Sequence, residues 1–167
     1  MNIVLFGIKG VGKTTVGKSL AKKIGRPFID TDQLIETLYA IHFQETLNCR
    51  QIYQKMGPLV FRSLEHAVIN TLKNTQRSVI AVGGGAFLFL QNVAILKKNN
   101  HLIHLTCDFH TLKTRIFSQS SLPPFIDPQA PESSFNRVYA QRKRFYHTLQ
   151  TQTVDVRYLD PLKNLIH

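Results

Sequence analysis

Between an apolar run, Asn2 to Phe6, and a stretch of helical periodicity lies Gly7-Ile8-Lys9-Gly10-Val11-Gly12-Lys13-Thr14. This is the spacing G-x-x-x-x-G-K-[ST], placed between strand and helix as a phosphate-binding loop requires. The backbone N–H groups of Gly10, Val11, Gly12, Lys13, Thr14 and Thr15 are expected to curl around a β-phosphate, aided by the partial positive charge of a helix N-terminus. Lys13 would reach the β and γ oxygens, and the Thr14 hydroxyl is a ligand for Mg²⁺.

Three further groups of residues are placed for chemistry. Asp30-Thr31-Asp32 closes a short apolar run, Pro27 to Asp30, at the strand edge where parallel α/β sheets bind ligands. One carboxylate would face Mg²⁺ and its waters and the other an acceptor, or one of them would cap the helix that follows. Gly83-Gly84-Gly85 ends the run Ser78 to Val82, either as a flexible turn or as a place where backbone closely approaches a ligand. Arg142 falls on the stripe Phe135, Val138, Phe145 and Leu149, where an apolar residue is expected. A cation aimed inward needs an anion, whether a ligand or a buried structural partner. Arg62 shares a helix face with Glu65, so an ordinary intrahelical pair is one reading of it.

The elements that hold these residues alternate. Strands are expected at 2–6, 27–30, 78–82, 101–106 and 153–156. Helices are expected at 13–24, around 34–38, at 51–56, 58–73, from the triple glycine to about 98, after Asp108, at 133–149 and after Pro161. Gly57-Pro58 should break the helical pattern. Ser118 to Pro131 holds three serines and four prolines with no period and is expected to be a loop. The alternation predicts an α/β three-layer fold, a small parallel sheet with helices on both faces.

The whole chain, 1–167, is expected to be a single domain, since 167 residues with 43% hydrophobic content support one core. No segment approaches the roughly 18 apolar residues of a membrane span, and no secretory signal is readable, so a cytoplasmic location and no membrane partner are expected. Cys49 and Cys107 read as reduced thiols. Twenty-one Lys and Arg against ten Asp and Glu give a formal charge of +11, which favours anionic partners of any kind. The basic residues are dispersed rather than striped with aromatics, so nucleic acid is not expected among them.

Over nearly its whole length the chain resembles shikimate kinase. The marks, in order, are Gly7 to Thr15 with Val16-Gly17, Phe28 to Asp32 with Ile35-Glu36, Phe61-Arg62 with Glu65, Val82 to Gly85, and Arg142 with Tyr146. The resemblance implies a nucleoside-monophosphate-kinase-like P-loop fold, with a substrate-binding region at about 31–62 and a mobile lid at about 118–131. It implies transfer of the ATP γ-phosphate to the 3-hydroxyl of shikimate, with Mg²⁺ as cofactor, by a monomer. Lys13 and Asp32 would be catalytic, Asp32 also holding the acceptor hydroxyl. Arg62 and Arg142 would clamp the shikimate carboxylate, and the Gly83, Gly84 and Gly85 backbone would meet the ring hydroxyls. Thr14 and, through water, Asp30 would hold Mg²⁺. Arg115 would lie against adenine, with the region from Arg157 to Pro161 on its other side.

Two departures stand out. The family's lid carries an arginine just before a proline, whereas Leu122 precedes Pro123 here and no Lys or Arg lies between Arg115 and Arg137; Arg137 and Lys113 are the nearest substitutes. The family also has Gly-Glu where this chain has Gly57-Pro58. Two other readings stay open: a kinase for another small polyol acid such as gluconate, and a P-loop protein that binds nucleotide without catalysis.

Overall fold

The computed structural model describes residues 1–158, without the side chain of Tyr158. Five strands, β1 (Asn2–Phe6), β2 (Phe28–Asp30), β3 (Val79–Ala81), β4 (Asn100–Thr106) and β5 (Gln152–Asp155), form one sheet in the order β2-β3-β1-β4-β5. Every pairing is parallel, with Ile3 of β1 opposite Val79 on one side and His101 on the other. A central strand of a parallel sheet is covered on both faces, and all five residues of β1 are buried. This is the three-layer α/β arrangement expected.

Six helices connect the strands: α1 (Lys13–Lys23), α2 (Thr31–Phe43), α3 (Cys49–Thr71), α4 (Leu90–Lys97), α5 (Phe109–Phe117) and α6 (Pro131–Thr148). Local chemistry sets their ends. The Asp30 carboxylate caps α2 by accepting from the Asp32 N–H, and Asp108 caps α5 by accepting from Thr111. A reciprocal capping box between Asn48 and Gln51 starts α3. Gly57, at φ 78° and ψ 169°, breaks α3 into two helical pieces where Gly57-Pro58 predicted a break, because proline has no N–H to continue the ladder and glycine alone takes that backbone readily.

The structure departs from expectation at three places. The single helix expected after the triple glycine is a 3₁₀ turn, Ala86–Leu88, followed by α4, because Phe89 is extended. Helix α6 begins two residues early, with Pro131 in its first turn, a position where proline's fixed φ suits a helix start. Residues 118–130 are irregular as expected, but Ile126 is buried, and Leu122 and Phe125 pack against the main core. The helix expected after Pro161 lies outside the described residues.

Apolar packing divides in two. The larger cluster unites both sheet faces around Val4, Leu5, Phe6 and Ile103. A smaller one, Ile35, Tyr39, Ile52, Phe61 and Val68, joins α2 to α3. That pair of helices is further tied by the Glu36 carboxylate, which accepts from the Cys49 N–H at 2.9 Å.

Candidate active site

Three parallel strands end side by side, and each end delivers one part of the site. After β1 the chain turns through the phosphate loop. The Gly7 backbone lies so close to the Leu105 carbonyl that a Cβ would strike it. Gly12, at φ 103°, precedes α1. Lys13 lies back along the loop, donating to the carbonyls of Gly7 at 3.0 Å and Ile8 at 3.3 Å. Burial lowers its pKa to about 8, Asp32 opposing that shift.

After β2 come the two aspartates. Asp30 ends β2 in extended backbone, whereas Asp32 lies in the first turn of α2, which starts at Thr31. They part company: Asp30 uses Oδ1 to cap α2 and Oδ2 to accept from the Thr14 hydroxyl at 2.8 Å. Capping and a place beside Thr14 are therefore one residue's work, and Asp32 is left to the cleft. Burial, then the neighbouring Asp30 charge, raises the Asp32 pKa, with Lys13 and Lys9 opposing.

After β3 the three glycines each face a different group. A Cβ on Gly83 would lie 2.9 Å from Asp32 Oδ1, one on Gly84 3.4 Å from Arg142 Nη1, and one on Gly85 2.6 Å from Arg62 Nη2. Close approach, not loose turning, is what this tripeptide provides. Two hydrogen bonds fix it: the Gly83 N–H donates to Thr31 Oγ1 at 3.0 Å, and Tyr146 donates to the Gly84 carbonyl at 2.6 Å.

The two arginines differ. Arg62 is held by Glu65, with Nη1 donating to both carboxylate oxygens at 2.8 and 2.7 Å; the intrahelical pair is real, and Arg62 lines the cleft as well. Arg142 is 6% exposed, its guanidinium stacked 4.4 Å from the Phe125 ring centre, and its Nη1 is buried without a hydrogen-bond partner among the described residues. Among the described residues no structural ion pair takes up its charge, and burial lowers its pKa. Asp32, Arg62, Gly83, Gly84, Gly85 and Arg142 thus line one cleft, beside the phosphate loop.

Sequence reasoning missed other residues of that cleft, notably Lys9, Arg50, Tyr53 and Phe125. Lys9 occupies a motif position open to any residue, and Phe125 arrives only through the path of an irregular segment. Arg115 stands outside the cleft against the phosphate loop, 3.4 Å from the carbonyls of Gly10 and Val11. Arg157 pairs with Asp108 and Asp155, while 159–161 fall outside the described residues. Of the two substitutes for a lid cation, Lys113 pairs with Glu132 at 3.0 Å and Arg137 is exposed; neither lines the cleft. Among the described residues no three acidic, His or Cys side chains gather to hold a metal. Thr14 and Asp30 nonetheless suit Mg²⁺, which keeps waters and uses one or two protein oxygens beside substrate phosphates.

The match to known proteins covers the site and the fold together. Residues 9–164 fit the family model described as shikimate kinase. A shikimate kinase of Syntrophus aciditrophicus is 33% identical over 165 residues, 92% of this chain and 82% of the relative. One from Caldanaerobacter subterraneus is 35% identical over 155 residues, 93% and 86% of the two chains. A solved shikimate kinase from Acinetobacter baumannii, in complex with shikimate, superposes with a TM-score of 0.80 at 30% identity, covering 92% of this chain and 82% of its own. With the family model spanning 9–164 and relatives 33 and 35% identical over more than nine-tenths of its length, the chain belongs to the shikimate kinase family.

Proposed function

We propose that this protein transfers the γ-phosphate of ATP to the 3-hydroxyl of shikimate. The carrying observation is Arg142, a buried guanidinium whose Nη1 has no partner among the described residues, at the wall of the cleft that Asp32 shares. A buried cation without a partner is costly, and a carboxylate with ring hydroxyls supplies what this cleft lacks. Arg142 and Arg62 bind the shikimate carboxylate through planar guanidinium forks. The backbone of Gly83, Gly84 and Gly85 meets the ring hydroxyls. Asp32 orients the 3-hydroxyl and accepts its proton, helped by a pKa raised toward the working range.

On the other side, Gly10 to Thr15 cradle the phosphates, Lys13 steadies the γ oxygens, and Arg115 lies against adenine. Thr14, with Asp30 through water, would hold Mg²⁺, which would supply positive charge against the phosphate oxygens during transfer. Residues 118–131 form the lid, which places Phe125 over Arg142. The enzyme works as a single-domain monomer in the cytoplasm; no helix of the described residues is long and apolar enough to cross a membrane.

The test is ADP release from ATP and Mg²⁺ with shikimate, gluconate or no acceptor. Shikimate-dependent release is expected. Arg142→Ala should raise the shikimate KM at least about thirtyfold, the equivalent of the ~2 kcal/mol lower bound for losing one member of a buried charge pair. Release equally fast with gluconate, or an unchanged shikimate KM in the variant, would overturn the reading.

A further inference from the structure

Phosphoryl transfer places charge on the oxygens of the moving group, and catalysis depends on cations already positioned around it. Lys13 and Mg²⁺ serve the nucleotide side. The acceptor side needs its own cation, and 116–136 contain neither Lys nor Arg. What that segment brings to the cleft is Pro124 and Phe125, which exclude water but carry no charge. Four cations line the cleft: Lys9, Arg50, Arg62 and Arg142. Arg62 is engaged by Glu65, and Arg142 is enclosed beneath Phe125. Arg50 stands in the first turn of α3, away from the phosphate loop in the chain.

Lys9 belongs to the phosphate loop itself. Its backbone nitrogen lies 3.1 Å from where a Cβ on Gly84 would be, so its four-methylene stem starts at the junction of phosphate loop and acceptor cleft. Its side chain has no ion pair or hydrogen bond among the described residues, and it is exposed. Its charge also reaches both Lys13 and Asp32.

From this geometry we infer that Lys9 is the acceptor-side cation of the reaction, donating its ammonium N–H groups to the oxygens of the phosphoryl group in flight. The inference rests on the kinase reading above. In the step, the bond from phosphorus to the ADP oxygen breaks, the bond to the 3-oxygen of shikimate forms, and the hydroxyl proton passes to Asp32. Lys9 stays protonated throughout.

The test compares Lys9→Met and Lys9→Arg with Lys113→Met and Arg137→Met, all in the full chain. Lys9→Met should lower kcat about 10²-fold or more, the scale of losing one preorganised donor to a developing anion. Lys9→Arg should keep kcat within about tenfold, and the other two variants should match the parent. A second readout is calorimetric affinity for ADP, aluminium fluoride and shikimate together, which mimics the transferring phosphoryl. It should weaken in Lys9→Met by the same factor as kcat, while affinity for ADP alone changes less than about threefold. Lys9→Met turning over within threefold of a parent active on shikimate overturns the role of Lys9 and leaves the kinase reading standing. An equal loss of ADP affinity overturns it too, by making Lys9 a nucleotide-binding residue. A parent inactive on shikimate overturns both.

Discussion

The three glycines after β3 give a graded experiment at single residues. Gly85→Ala would push against the Arg62 guanidinium, the far end of a flexible side chain. Arg62 should swing aside, so the variant should fold, melt close to the parent and show a raised shikimate KM. Gly7→Ala meets the backbone carbonyl of Leu105 at φ 149°; neither partner can move aside, and the melting temperature should fall by about 4 °C or more. Circular dichroism melts beside kinetics separate the two outcomes. The glycines, the aspartates and Arg142 could be read from sequence because each is an unusual residue for its place: acids at a strand end, an arginine on an apolar stripe. Lys9 and Phe125 could not, since nothing in their local sequence limits what stands there. Their meaning arises only when the phosphate loop and residues 118–130 meet at the cleft.

Among elements, α3 shows which boundaries sequence can set. Its start is chemical, an Asn48–Gln51 box, and its break is chemical, Gly57 before Pro58. Asn48→Ala should cost about 1 kcal/mol in urea unfolding. Gly57→Ala forces a side chain into positive φ and should cost about 1–2 kcal/mol; unchanged unfolding midpoints in both variants would contradict this account. The Gly57 break changes the direction of α3 just before Phe61 and Arg62, so the second variant should also raise the shikimate KM. By contrast, the division at Phe89 was not legible, because apolar spacing runs unbroken from Ala86 to Leu96. At the division the Phe89 ring lies 5.5 Å from the Arg62 guanidinium, a tertiary contact with no trace in the local sequence.

For the whole molecule, the two reacting sides titrate in opposite senses. As the proposed proton acceptor, Asp32 must be ionised, and its raised pKa should move the acid limb of kcat/KM above the ordinary aspartate range. In its proposed role at the γ oxygens Lys13 must be charged, and with a pKa of about 8 in the free protein the alkaline limb should fall there. Activity in kcat/KM, which reports the free enzyme, should therefore be bell-shaped; a plateau reaching the usual lysine pKa of about 10.4 would contradict it. That the strands are all parallel followed from the alternating pattern, but their order and the separation into two apolar clusters did not, because these depend on which elements meet. That separation has a historical consequence. The helices α2 and α3, with their own small core, carry Asp32, Arg62 and Glu65 toward the acceptor, whereas the phosphate loop is anchored in the large one. Selection for a new acceptor can rewrite 31–71 while the nucleotide machinery is inherited unchanged. A lineage built on this plan would diversify by what it phosphorylates far more readily than by what it takes the phosphate from.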